Sequence, residues 1–272
     1  MSDIKTVFRR LNGKGALIAY VMGGDPDIDT TERVVGALVA GGADIIELGI
    51  PFSDPIADGR SIQEAAVRSL AAGTRPVDVL NLVSRIKKAH DIPVAVMTYY
   101  NILYSPGLDS FLGEAKGAGV DGLIIPDLPL DETGEYSRLA TKHGLDTILL
   151  AAPTTSPERM RSLVEHSTGF LYLVSLLGVT GARSQLGEDT LRLVRSAKRQ
   201  TRGKIPLGVG FGISKPEHVR AVIGEGADGV IVGSSIVNMV ASGRQVEAML
   251  KDVESYVRSL KAATGSTRAG QI

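Results

Sequence analysis

With 272 residues, 43% hydrophobic and 22% charged, the chain is long and apolar enough to bury a large α/β core, which excludes a disordered protein. Thirty lysines and arginines balance thirty aspartates and glutamates, so no charge excess calls for nucleic acid or an anionic membrane. Cysteine is absent, which excludes disulfides and thiolate metal sites and fits a cytoplasmic location, and no run has the length of a membrane span or the apolar core of a signal peptide.

In chain order, residues 2–11 read as a short helix. Strand-like apolar runs follow at 16–22, 44–49, 93–99, 122–126, 147–151, 169–175, 206–210 and 229–233. They are continuous rather than alternating, as expected of strands buried on both faces. Between them lie segments with a helical period. Residues 30–40 place Val34, Val35, Leu38 and Val39 on one side, and residues 77–89 do the same with Leu80, Val83 and Ile86. Four junctions share a glycine, a spacer, an aspartate and an apolar run, with Asp44, Asp121, Asp146 and Asp228 as the aspartates. This pattern predicts a helix ending in a left-handed glycine, a tight loop and the next strand. The aspartates then fall at strand N-termini, a structural position.

Strand–helix alternation repeated eight times predicts a single (β/α)8 TIM barrel with a short N-terminal helix on its floor. The barrel spans about residues 15–262, and 263–272 reads as a flexible tail of the same domain. An open doubly wound sheet is disfavoured, because Met22–Asp27 is MGGDPD and not G-x-G-x-x-G.

A barrel builds its active site at the C-terminal ends of its strands. The residues there include Glu47, Tyr99, Asn101, Asp127, Tyr172 and Ser175. A strand tyrosine usually packs in the core, and Asn101 and Asp127 read as loop-holding groups. Glu47 stands apart. A carboxylate is rarely buried unpaired, yet none of the predicted strands contains a lysine or arginine. A carboxyl in a dry barrel mouth has a raised pKa and can exchange a proton near neutral pH. GVGFGIS (208–214) and IVGSSIV (231–237) each end a strand in glycine and open a helix with serine. At the last two strands of a barrel this pattern predicts a phosphate site. Residues 176–189, long for such a loop and rich in glycine, read as a lid. No histidine lies at a strand end and no lysine lies in a strand, which disfavours a histidine metal site and a Schiff-base aldolase.

The motifs GDPD, ELGIPFSDPIADG, APTTSPERM, GVTGAR, GFGIS and VGSSIV, in that order across residues 15–240, resemble the tryptophan synthase α-subunit family. The resemblance implies an eightfold barrel that cleaves indole-3-glycerol phosphate to indole and glyceraldehyde 3-phosphate. It also implies Glu47 as the acid–base residue and Asp58 as the carboxylate that meets the indole N–H. Tyr20, Ile62, Met97, Tyr99, Asp127, Tyr172 and Thr180 fall at substrate positions, Thr180 being the lid residue that meets Asp58. Gly181, Gly212, Gly233 and Ser234 match the phosphate cradle. A pyridoxal-phosphate β subunit is the implied partner, in an α2β2 assembly, with Pro51 and Asp54 at the contact and no cofactor in this chain. The rival expectation is a stand-alone lyase releasing free indole. The chain departs from common family residues at Tyr20 (often Phe), Met22 (often Thr), Arg60 (often Pro) and Leu176 or Leu177 (often Arg).

Overall fold

The computed structural model describes residues 3–174, 188–210 and 212–265. Its strands are β1 Ala16–Met22, β2 Ile45–Gly49, β3 Val94–Met97, β4 Gly122–Ile124, β5 Asp146–Ile148, β6 Leu150–Ala151, β7 Leu171–Leu173, β8 Leu207–Val209 and β9 Gly229–Val232. All paired neighbours are parallel, in the order β5-β4-β3-β2-β1-β9-β8-β7-β6. The two ends of that order are consecutive pieces of one segment, separated by Leu149 alone. The predicted fifth strand therefore divides: its first half pairs with β4 and its second with β7. Leu149 bridges the halves, its carbonyl accepting the Tyr172 N–H at 2.9 Å. One strand thus brings the two edges of the sheet together into a nearly closed barrel.

Both faces of the strands are buried, which is why alternation is hidden in the sequence. Outward side chains such as Leu17, Ala19, Ile46 and Leu48 pack against the surrounding helices. Inward side chains form a floor from Ile18, Ile45, Ala95, Ile124, Phe170 and Ile231. Helix Asp3–Arg10 plugs that floor with Ile4 and Val7, both buried, as the short-helix reading predicts.

Glycines 42, 119, 144 and 226 all adopt positive φ at the four junctions. At three of them the aspartate accepts a backbone N–H from an adjoining strand and meets a lysine. Asp44 takes Leu17 N–H (2.7 Å) and Lys261 (2.6 Å). Asp121 takes Val94 N–H (2.8 Å) and Lys87 (3.1 Å), and Asp228 takes Leu207 N–H (3.0 Å) and Lys198 (3.2 Å). Each clip anchors a strand N-terminus, which is the structural role expected. Asp146 differs: it is buried, and its Oδ2 has no hydrogen-bond partner among the described residues.

Helix Val246–Ala263 ends within a residue of the expected end of the barrel. Ala263 and Thr264 are buried, and the Thr264 carbonyl accepts the Gly15 N–H at 3.0 Å, so the first two residues of the predicted tail pack on the barrel. The remainder of the predicted tail, 266–272, lies outside the described residues.

Candidate active site

Strand parity sends Ile45, Glu47 and Gly49 to the barrel interior and Ile46 and Leu48 to the helices. Glu47 is therefore the polar exception on an inward row, in register with Tyr20 of β1 and Ala95 of β3. It is 1% exposed, and its Oε2 has no hydrogen-bond partner among the described residues. Burial, and then the nearby Asp58 charge, push its carboxyl up to about 8. It holds its proton at neutral pH.

Asp58 reaches the same mouth from the loop after β2. Tyr99, just beyond β3, holds that loop. Its hydroxyl accepts the Ala57 N–H at 3.0 Å and hydrogen-bonds the Asp58 carboxyl. Its ring stacks on Phe52 with centroids 5.0 Å apart. From the following helix, Arg60–Ala71, Gln63 Nε2 donates to the Asp58 carbonyl at 2.9 Å. Burial pushes the Asp58 carboxyl up to about 6, and the Tyr99 hydrogen bond offsets part of that rise. Near pH 7 one carboxyl is protonated and the other mostly ionised, so burial divides two carboxyls into an acid and an anion.

The helix carrying this loop is itself pinned. Arg68 makes a bidentate pair with buried Asp25, Nε to Oδ1 at 2.8 Å and Nη2 to Oδ2 at 2.7 Å. Ser69 Oγ donates to the Gly23 carbonyl at 2.6 Å. Sequence reasoning singled out neither partnership, since the paired residues lie 43 and 46 positions apart.

The remaining substrate-position residues divide. Tyr20, Ile62 and Met97 meet in one apolar cluster of the mouth, with Met22, Ala66 and Val237. Ala65 and Ala66 share the buried face of Ile62, a helical period that sequence inspection could have followed. Tyr172 is buried on β7, its hydroxyl held above the usual range by burial and then by Glu47 and Asp58. Asp127 is half-buried and accepts the Tyr100 N–H at 2.9 Å, the loop-holding role. Thr180, Gly181, Ser175 and the Leu176–Leu177 pair lie outside the described residues, as does most of the predicted lid.

The glycines after β7 serve two purposes. A Cβ on Gly208 would stand 2.8 Å from the Phe170 ring, and one on Gly210 would collide with Tyr172. These two make room for rings from the neighbouring strand, a packing purpose that the anion-approach reading of the motif did not anticipate. Gly212 has φ +63° with no described residue within 4 Å of where a Cβ would stand, and Gly233 caps the helix Ser234–Val240 with Ser234 exposed. Of the expected cradle, the backbone at Gly212, Gly233 and Ser234 remains accessible at the mouth. Of the two expected partner contacts, Asp54 is exposed, whereas Pro51 is buried within this chain and offers little surface. Ile56, between them and Asp58, is 84% exposed.

A family profile described as tryptophan synthase alpha chain matches residues 8–265. The alpha chain of Methanoregula boonei is 45% identical over 97% of this chain and 98% of its own length. That of Arabidopsis thaliana is 45% identical over 96% and 94%. A chain of the tryptophan synthase complex from Pyrococcus furiosus superposes with TM-score 0.84 at 41% identity, covering 92% of this chain and 98% of its own. With that near-full-length match and the two carboxyls that share the barrel mouth, the chain belongs to the tryptophan synthase alpha chain family.

Proposed function

We propose that Glu47 and Asp58 carry the α reaction of tryptophan synthase in this chain, the retro-aldol cleavage of indole-3-glycerol phosphate to indole and glyceraldehyde 3-phosphate. The observation that carries the assignment is buried Glu47, whose Oε2 has no hydrogen-bond partner among the described residues and whose carboxyl is pushed up to about 8 beside a second carboxyl.

The bond from indole C3 to the glycerol chain breaks only when the ring can accept its electrons. Glu47, neutral near pH 7, gives its proton to C3 and leaves positive charge at the ring nitrogen. Asp58, mostly ionised, accepts the indole N–H and stabilises that charge. The Glu47 carboxylate then takes the proton of the chain hydroxyl. The O–H electrons form the aldehyde, the C–C electrons return to the ring, and Glu47 ends as it began. Tyr20, Ile62, Met97 and Tyr172 line the ring's pocket. No cofactor is assigned to this chain in that sequence.

The phosphate is placed on the backbone of Gly212, Gly233 and Ser234, the last two opening a helix whose first N–H groups have no acceptor within the helix. Ser234→Asp puts a negative charge there and is expected to weaken binding of a glycerol-phosphate analogue at least tenfold. Unchanged affinity in a calorimetric titration would place the phosphate elsewhere.

The partner is a β subunit. The alpha chain family and the solved complex support it, and the exposed Asp54 and Ile56 fit a contact there. An α2β2 assembly, with pyridoxal phosphate on the β subunit and a cytoplasmic location, completes the proposal. No described helix is long and apolar enough to cross a membrane.

The test is indole release from indole-3-glycerol phosphate, with and without a β subunit, across pH. The rate is expected to fall below about pH 6 as Asp58 takes a proton and above about pH 8 as Glu47 loses its own. Absence of indole under both conditions would overturn the assignment.

A further inference from the structure

One phenol in the barrel mouth has no strong acceptor among the described residues. Tyr20 lies on β1, in register with Glu47 of β2, and is 3% exposed. Its hydroxyl meets the Met22 thioether, with Oη to Sδ at 3.9 Å. Sulfur is a weak acceptor, and a buried O–H is stabilised only by a good one. Tyr99 differs, since its hydroxyl is engaged by Ala57 and Asp58. Burial, and then the Asp58 and Glu47 charges, hold the Tyr20 hydroxyl well above the usual tyrosine range, so it keeps its proton and remains a donor.

Two glycines mark where that phenol lies. A Cβ on Gly233 would stand 3.3 Å from Tyr20 Cβ and Cδ1, so the base of the side chain rests against the residue that follows β9. A Cβ on Gly49 would stand 2.4 Å from Tyr20 Oη, so the tip lies against the last residue of β2. Gly49 is the next inward position after Glu47, one step nearer the mouth. β1 pairs with both β2 and β9, which lets its side chain reach from one to the other. The phenol thus runs from a glycine proposed to hold phosphate to the position beside the carboxyl proposed to protonate indole C3. The glycerol chain that joins phosphate to C3 has to cover the same interval, and it carries two hydroxyls.

We infer that the Tyr20 hydroxyl is a specificity-determining donor to a hydroxyl of the substrate's glycerol chain, so that the site selects the hydroxylated chain over its deoxy counterpart. Met22, Ile62, Met97 and Val237 surround the phenol with apolar surface, which strengthens a hydrogen bond made there. A ligand without the hydroxyl leaves the phenol on its weak sulfur acceptor, and a site whose buried polar group goes unpaired disfavours that ligand. The inference rests on the placement of phosphate and indole C3 above.

The test compares indole-3-glycerol phosphate with indole-3-propanol phosphate, which keeps the ring and the phosphate and lacks both hydroxyls. Dissociation constants are measured by calorimetry in the full chain carrying Glu47→Gln, where turnover is too slow to interfere, with and without Tyr20→Phe. Phenylalanine keeps the ring and removes only the donor. Indole-3-glycerol phosphate is expected to bind about fivefold to tenfold more weakly to the Tyr20→Phe variant, the loss of roughly one hydrogen bond. The propanol analogue is expected to bind within about twofold of the parent value, or more tightly. Tyr20→Phe should unfold at the same temperature as its parent or higher, because the hydroxyl gives up only a sulfur contact. Equal weakening of both ligands, no change in either, or a marked fall in unfolding temperature overturns the inference. Ser234→Asp serves as the control. If it weakens both ligands while Tyr20→Phe does not tell them apart, the phosphate site stands and the role of Tyr20 falls alone. If Ser234→Asp weakens neither, the phosphate placement is wrong and the inference falls with it.

Discussion

Glu47→Gln is expected to lower kcat for indole release roughly a hundredfold to ten-thousandfold, the range of general acid–base catalysis, while glycerol-phosphate binding persists. Glutamine is close in size and occupies the same inward position, but cannot give or take the proton. The same variant carries a second, independent expectation. A glutamate exposed in the unfolded chain ionises near 4.5, whereas in the fold it keeps its proton to about 8. Between those values the folded state binds more protons than the unfolded one. Wild-type stability from this group is therefore complete below about pH 4.5, declines as pH rises through the window, and levels off above about 8. At about 1.4 kcal/mol per unit the loss is on the order of 3–5 kcal/mol. Glutamine does not titrate, so Glu47→Gln should gain stability over wild type at pH 9 and match it more closely at pH 4. Urea unfolding at the two pH values checks this. A stability difference that does not change with pH would mean that Glu47 is not held protonated, and near-normal turnover would end its acid–base role.

Arg68→Ala should destabilise the fold by about 3–5 kcal/mol, because it leaves the buried Asp25 carboxylate without its bidentate partner. Arg68 itself is 35% exposed in its side chain, but Asp25 is only 3% exposed, and the aspartate's lost compensation sets the cost. The pair does more than stabilise. It fixes the helix Arg60–Ala71 against the loop after β1, and that helix begins two residues after Asp58. The variant should therefore also lose activity, even under conditions where it stays folded. Denaturant titration supplies the first measurement and turnover at low temperature the second. The double variant Asp25→Ala/Arg68→Ala should recover part of the stability, since it removes the stranded charge as well. A cost for Arg68→Ala below about 1 kcal/mol would show that water already solvates the pair.

Expectation and structure differ in an instructive way at the loop carrying Asp58. Its two carboxylates are visible in the sequence, but what holds the loop is not. Tyr99 reads locally as a strand-end core tyrosine, and only its position across the mouth gives its hydroxyl to Ala57 and Asp58. Gly208 and Gly210 likewise belong to a motif read as an anion-binding turn. Clearance for Phe170 and Tyr172 becomes apparent only when β7 and β8 lie side by side. The split fifth strand has a similar origin. Its apolar run is unbroken in sequence, and the change of partner at Leu149 is set by closure of the sheet.

The sequence by itself determined the eight strand–helix units, the left-handed glycines between them, and the anomaly of Glu47 on a buried strand. Those features arise from interactions a few residues apart: side-chain period, helix capping and the cost of burying an unpaired carboxyl. Tertiary structure alone decided that Tyr99 holds the Asp58 loop, that Arg68 anchors its helix through Asp25, and that Tyr256 of the C-terminal helix donates to the Ser214 carbonyl. In each case the partners are 41 to 43 residues apart and meet because the barrel is closed and its helices wrap it at a given stagger. No local pattern records that geometry, because the free energy that selects it comes from packing the whole sheet at once.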